Sequence, residues 1–181
     1  MIIASNFTNN KNKISFSVVR YGNVISSRGS VIPFFKNQSK LGTMTITHPD
    51  MTRFMINLDQ AIECVFYAFK ESLGGEIFVS KIPSMKVVDI AKTISSKAKI
   101  KYIGIRPGEK IHEQMIGLED APYTYEYQKY FKILPAIYDI YKNKRYVKNG
   151  IKVKNNFVYS SNKNKKWMKT SELKNWITKN S

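Results

Sequence analysis

One cysteine in 181 residues, Cys64, leaves no possibility of an intrachain disulfide and no thiolate set for zinc. It falls on the apolar face of an expected helix and reads as a small buried hydrophobe rather than a nucleophile. Histidine is nearly as scarce: His48 and His112 lie far apart, outside any H-x-x-x-H spacing, and read as structural or solvent-facing, so no metal site is expected. There is no G-x-G-x-x-G and no G-x-x-x-x-G-K-[ST], which removes a glycine loop able to cradle a cofactor's phosphates. No serine elbow supports acyl transfer. No apolar run approaches the roughly 18 residues that span a bilayer. The start, Met1-Ile2-Ile3-Ala4 followed by Ser5-Asn6-Phe7, lacks both a basic flank and a long apolar core, so a cytoplasmic protein without a membrane partner is expected.

Acidic residues are the remaining shortage, 13 against 30 basic, for a formal net charge of +17. Such a balance invites a nucleic-acid partner, but only five of the basic residues are arginines, and 15 asparagines accompany the lysines. A Lys/Asn bias over solvated surfaces accounts for it, and no nucleic acid is expected. The excess is uneven: residues 123–181 carry 14 basic and 3 acidic side chains. Hydrophobic residues at 43% and aromatics at 13% are enough for a packed core.

Ile14 to Tyr21 is rich in β-formers and ends at Gly22-Asn23, which predicts a buried strand followed by a loop. Ser30 is placed to cap a short helix through Val31–Phe35. Thr43–Thr47 alternates like an exposed strand and stops at His48-Pro49. Ala61, Ile62, Val65, Phe66 and Phe69 recur at helical spacing, giving a helix over Asp59–Ser72 that Gly74-Gly75 terminates. Glu76–Val79 then reads as a strand, Lys86–Ser95 as a helix and Lys99–Ile105 as a strand. Strands alternating with helices define an α/β fold. Tyr138–Asn164 is basic and irregular, and Ser171–Thr178 is helical again. The spacing Y-x-x-x-K occurs at Tyr125/Lys129, Tyr138/Lys142 and Tyr159/Lys163; with 11 tyrosines and abundant lysine, one or two matches arise by chance, all of these fall in the basic C-terminal third, and they are treated as decoys.

Two segments carry chemistry. Arg20 to Ser30 sets a polar, glycine-bearing turn between a strand's carboxyl end and a helix N-terminus, where open α/β sheets bind anionic ligands. Ile105-Arg106-Pro107-Gly108-Glu109-Lys110 offers a guanidinium, a carboxylate and an ammonium on one turn, a mixture suited to a phosphate beside a sugar diol.

RYGNVISSRGSVIPFF, TITHPDMTRFMINLDQA, GGEIFVSKIPSMKVVDIA and IGIRPGEKIHEQMI, in this order, resemble the inverting UDP-N-acetylglucosamine 4,6-dehydratases of the extended short-chain dehydrogenase/reductase superfamily. The likeness covers about residues 1–135, with FVYSSN and SEL of the tail also similar. The resemblance implies the C-terminal part of a Rossmann-like enzyme with its substrate domain. It divides the chain into 1–135, with the last Rossmann strands and the substrate-binding region, and 136–181, a basic extension with a short terminal helix. The family's glycine-rich NADP (or NAD) loop and its catalytic Y-x-x-x-K would lie in an N-terminal half outside this sequence. No catalytic residue is therefore assigned here, and the isolated chain is expected to be inactive and marginally stable, with a strand edge and one helical layer uncovered.

By the same resemblance, Tyr21 and Gly22 face the cofactor's nicotinamide end and Asn23 hydrogen-bonds the substrate diphosphate. Ser30 and Val31 approach the nucleotide, Arg106 clamps the diphosphate, and Glu109 takes the uridine ribose with Lys110 nearby. Arg53 belongs to the substrate set through the superfamily's R-D-F-I-Y-V-D-D-V-A segment, whose alignment to Met55–Ala61 puts Thr52 opposite its arginine. The implied partners are a UDP-sugar, the N-terminal half or an upstream chain, and further copies of the intact enzyme in a homo-oligomer. The implied reaction is a lyase reaction serving surface polysaccharide or flagellin-sugar synthesis. The alternatives are a capsule-type UDP-sugar epimerase or dehydratase, and a noncatalytic nucleotide-sugar binding remnant.

Overall fold

The computed structural model describes residues 15–25, 27, 29–136 and 144–179. Its elements run β1 (Val18–Arg20), β2 (Asn23–Val24), α1 (Val31–Lys40), β3 (Thr43–Ile46), β4 (Thr52–Ile56), α2 (Leu58–Glu71), β5 (Ile77–Ser80), β6 (Ser84–Lys86), α3 (Val87–Ile94) and β7 (Lys99–Tyr102). They continue with β8 (Gln114–Ile116), a short 3-10 turn (Ala121–Tyr123), β9 (Thr124–Glu126), β10 (Tyr130–Ile133), β11 (Ile151–Lys152), β12 (Tyr159–Ser160) and α4 (Thr170–Lys179). The chain forms two compact units, each assembled from three separated stretches.

In the first unit, β1 lies parallel to β5 and β5 antiparallel to β10, with β9 and β11 continuing the sheet. β1 and β11 are the edge strands of this sheet among the described residues. The three residues of β1 are half-buried, so the expected buried strand is shorter and more open than its composition suggests, and Ile14 lies outside the described residues. Phe78, Ala68 and Tyr130 form this unit's aromatic core. Helix α2 turns the small residues Ala61, Cys64 and Ala68 inward. Ile62, Val65, Phe66 and Phe69, expected as its buried face, are instead 44–88% exposed. The periodicity locates an amphipathic helix but does not say which apolar side the sheet covers. Cys64 is buried as expected, and burial pushes its thiol pKa up.

The loop after α2 closes on Glu76, a carboxylate with no exposed surface. It accepts hydrogen bonds from Ser72 Oγ at 2.9 Å, Leu73 N at 2.8 Å and Gly74 N at 2.8 Å. Gly74 and Gly75 hold φ of 112° and 89°, in the left-handed region that a side chain disfavours. Of the Tyr125/Lys129 pair, Tyr125 lies in β9 and Lys129 in the turn before β10, so the two are not one helical turn apart, and Lys129 binds Glu63 at 2.7 Å. Tyr159 opens the two-residue β12, and Tyr138/Lys142 falls outside the described residues.

In the second unit, β4 is flanked by β2 in parallel and β6 in antiparallel register, and β3 runs parallel to β7. Met44 and Ile46 on β3 are at most 2% exposed while Thr43 and Thr45 are half-buried. The strand expected to be exposed therefore has one covered face: α1 and α3 pack with it around Ile32, Phe35, Met55 and Ile90. Helix α1 extends to Lys40, past the short helix expected, because Pro33 falls in its first turn where no N–H is needed. From the tail, Ser84 N–H donates to Lys166 O at 2.9 Å and Met168 N–H to Ser84 O at 2.8 Å, while Leu173 of α4 enters the core.

Candidate nucleotide-sugar site

The residues singled out for substrate all belong to the second unit, whereas Tyr21 closes the first. Gly22, at the entry to β2, lies against β4: a Cβ there would stand 2.5 Å from Phe54 O and 2.6 Å from Phe54 Cβ. Close backbone approach by itself requires a glycine here. Asn23 then pairs in register with Met55 and donates from Nδ2 to Glu113 Oε1 at 3.3 Å.

Arg53 occupies the centre of this region with its side chain only 16% exposed. Its Nη1 donates to the carbonyls of Thr52 (2.7 Å) and Ile111 (3.0 Å), its Nη2 to that of Lys110 (2.9 Å), and its Nε lies 3.8 Å from Glu113 Oε1. The guanidinium thus spends its donors on the loop that carries Lys110, and Lys110 enters this arrangement through its carbonyl. Thr52 is a second anchor: its hydroxyl meets His112 Nδ1 at 2.8 Å and Ser161 Oγ at 2.6 Å, and Glu113 N–H donates to Ser161 Oγ at 2.9 Å. Burial, then the nearby Arg53 charge, lowers the His112 pKa, and burial raises that of Glu113.

Arg106 is placed differently. Glu109 N–H donates to Arg106 O at 3.0 Å and Gly108 has φ of 79°, which together define a type II turn with Pro107 and Gly108 at its tip. Glu109 folds back, accepting from Thr47 Oγ1 at 2.9 Å and from Arg106 N at 3.3 Å. The Thr47 bond foremost, then Arg106 and Arg53, holds its carboxyl below the ordinary range. The guanidinium of Arg106, on an exposed residue, makes no hydrogen bond to the described residues. Of the two arginines, Arg53 is committed to backbone oxygens and Arg106 is open to an anion.

Ser30 is the N-cap of α1 with φ −74° and ψ 166°, yet its side chain makes no cap bond. Its Oγ is buried and without a hydrogen-bond partner, and Val31 follows as the first helical residue. No hydrogen bond links Ser30 or Val31 to the Asn23–Arg53–Glu113 group or to the Arg106 turn among the described residues. Sequence reasoning missed Glu113, Thr47, Thr52 and Ser161. Glu113 alone carried a signal, a carboxylate one residue removed from the apolar pair Met115-Ile116. It also missed the anchor of Arg20, whose Nη1 binds Asp120 Oδ2 at 3.1 Å and Met115 O at 2.9 Å. Among the described residues no group of His, Cys, Asp or Glu could hold a metal ion, and no helix is long and apolar enough to cross a membrane.

A parallel β1–β5 pair with α2 between its strands in the chain, and a polar strand-to-helix loop before α1, is the architecture of the C-terminal part of an extended short-chain dehydrogenase/reductase. The fold is shared over 98% of this chain, at TM-score 0.82 and 32% identity, with 54% of the chain in the X-ray structure of Pen from Bacillus thuringiensis. The polysaccharide biosynthesis protein family model matches residues 1–135, and the chain belongs to that family. A UDP-N-acetylglucosamine 4,6-dehydratase (inverting) of Campylobacter jejuni is 44% identical over 179 residues, which are 95% of this chain and 53% of that protein. A UDP-glucose 4-epimerase of Rickettsia bellii is 41% identical over 138 residues, 74% of this chain and 40% of that protein. The chain therefore spans about half the length of the curated relatives it matches.

Proposed function

We propose that this chain supplies the UDP-sugar-binding half of an inverting UDP-N-acetylglucosamine 4,6-dehydratase. The observation that carries the reading is the 44% identity to the Campylobacter jejuni enzyme over nearly the whole chain. The open guanidinium of Arg106, the orphan hydroxyl of Ser30 at a helix N-terminus and the Asn23 amide are the donors a diphosphate would use. Glu109 would exchange its bonds to Thr47 and Arg106 N for a ribose hydroxyl, with Lys110 beside it, and Val31 would line the nucleotide. Arg53 would act by holding the 110–111 carbonyls in place.

An NADP or NAD cofactor would supply transient oxidation at C4 and return the hydride to C6 once water has left across C5–C6. This chain's residues fit one end of such a cofactor only. The missing Cβ of Gly22 makes room for Phe54, and the sequence holds no glycine loop for the cofactor's phosphates. Tyr21, 43% exposed, and the backbone at Gly22 would border the nicotinamide. An N-terminal half, on the same or another chain, would hold the rest, in the cytoplasm where nucleotide sugars are made. The epimerase reading draws on the Rickettsia bellii relative. Co-expression with the N-terminal half of the Campylobacter jejuni enzyme, followed by NMR of the product, separates the two. A 4-keto-6-deoxy sugar supports the dehydratase, a C4 epimer supports the rival, and neither product sinks both.

Two substitutions test the ligand set by calorimetric titration with UDP. Arg106→Ala is expected to weaken binding by roughly ten- to a hundred-fold, since a hydrogen bond to a charged group contributes about 1.5–3 kcal/mol. Arg106→Lys should recover only part of this, because an ammonium lacks the planar fork. Affinity unchanged in Arg106→Ala with a lowered melting temperature would make the residue a turn brace. Ser30→Ala is expected to act in opposite directions on two readouts. It should raise the melting temperature of the free chain by removing an orphan buried hydroxyl that costs about 1–3 kcal/mol, and it should weaken UDP binding. A fall in both stability and affinity would mean the hydroxyl has a structural partner.

A further inference from the structure

Glu113 joins β2 to β4, and both of its carboxylate oxygens are engaged. Oε2 accepts the Phe54 N–H at 2.8 Å, and Oε1 accepts Asn23 Nδ2 at 3.3 Å with Arg53 Nε 3.8 Å away. The glutamate is itself held from behind, its N–H on Ser161 Oγ at 2.9 Å and its carbonyl accepting Ser161 N–H at 2.8 Å. Ser161 is fully buried and tied to Thr52, so the carboxylate has little freedom to turn.

An asparagine amide can present either its NH2 or its carbonyl edge, since the two differ by a turn about one bond. Facing a carboxylate oxygen, only the NH2 orientation is favourable. One Nδ2 hydrogen is then used, and the second, 120° away in the amide plane, is left for another acceptor. The Asn23 side chain makes no other hydrogen bond to the described residues. We infer that Glu113 is a positioning residue that fixes the Asn23 amide as a donor, so that its free N–H meets a diphosphate oxygen of the nucleotide sugar. This inference rests on the UDP-sugar reading for its ligand, while the orientation of the amide stands without it. Arg53, the charged group facing Glu113 from β4, offsets the repulsion between the carboxylate and the incoming diphosphate.

Glutamine cannot replace this glutamate. It has one acceptor oxygen where two donors must be served, and the Phe54 N–H, fixed in β4, keeps it. The glutamine NH2 then confronts Asn23 Nδ2, the Asn23 amide turns over, and its carbonyl faces the phosphate. Glu113→Gln should therefore weaken UDP binding about ten-fold with little change in melting temperature. In an Asn23→Ala background it should add nothing further, because its action runs through that amide. Additive losses in the double variant, or a fall in melting temperature that accounts for the lost affinity, would overturn the inference.

A measurement on the unaltered chain needs neither UDP nor a folded variant. Of the two Asn23 Nδ2 protons resolved by NMR, one should exchange with water several-fold more slowly than the other. Equal rates would overturn the inference outright. Failure of the wild-type chain to bind UDP, with the unequal rates observed, would sink the UDP-sugar reading and the ligand half of the inference while leaving the amide's orientation intact.

Discussion

Incubated alone with UDP-N-acetylglucosamine and NADP, the 181-residue chain is expected to yield no 4-keto product at the detection limit, while still binding UDP. The reaction must move a hydride from C4 and a proton from its hydroxyl, so it needs a cofactor held by its phosphates and a general base within hydrogen-bond reach. The sequence has no glycine loop for the first requirement. For the second, a tyrosine needs a lysine one helical turn away, and neither described Y-x-x-x-K pair has that geometry. Tyr125 and Lys129 flank a hairpin turn, with Lys129 bound to Glu63, and Tyr159 is 7% exposed in β12. Turnover by the purified chain would overturn the division of labour proposed above. Binding of UDP without turnover, followed by product once the N-terminal half is supplied, is the pattern that supports it.

Glu76→Ala is expected to cost about 3–5 kcal/mol, a large share of the 5–15 kcal/mol that ordinarily holds a domain together. The carboxylate has no exposed surface and serves three donors, two of them backbone N–H groups on the loop between α2 and β5. Alanine removes the acceptor of the Leu73 N–H and leaves the buried Gly74 N–H only Ser72 Oγ, 3.2 Å away, and water reaches these amides only by opening the loop. Because β5 pairs with both β1 and β10, distortion at its start spreads through the first unit's sheet. Glu76→Gln keeps one acceptor and should fall between the two. Chemical denaturation followed by circular dichroism reads the difference, and a loss below 1 kcal/mol for alanine would show that the loop finds other acceptors.

What the sequence made legible follows from how local the determinants are. Helices α2, α3 and α4 announce themselves through spacing within one segment, and their observed limits differ from the expected ones by a residue or two. Strands β4, β9 and β10 were not anticipated, because their text lacks a clean alternation. Phe54, Met55 and Ile56 are all at most 1% exposed, so β4 is covered on both faces and its pattern loses the period of two. The candidate site shows the same divide. Arg106, Glu109 and their turn could be read from Pro107-Gly108 and the charges around it. The commitment of Arg53 to three carbonyls could not, because those oxygens belong to no side-chain pattern. Glu113 and Ser161 meet only through tertiary structure, some fifty positions apart, which no local signal records.

The second unit is threaded late. β6 lies against β4, but its other backbone partners are Lys166 and Met168, and the Thr52 hydroxyl meets Ser161 as well as His112. Such pairings across long sequence separations carry a high loop-closure cost and fold slowly. During synthesis, then, β3 and β4 can pair with β7, β2 and β6 once residue 102 has been made, while Ser84 and Thr52 still wait for their partners in the tail. The last stretch therefore closes a unit whose strands are already paired: a nascent chain that has not reached residue 173 leaves the Ser84 backbone without its Lys166 and Met168 partners and the place of Leu173 in the core open to water.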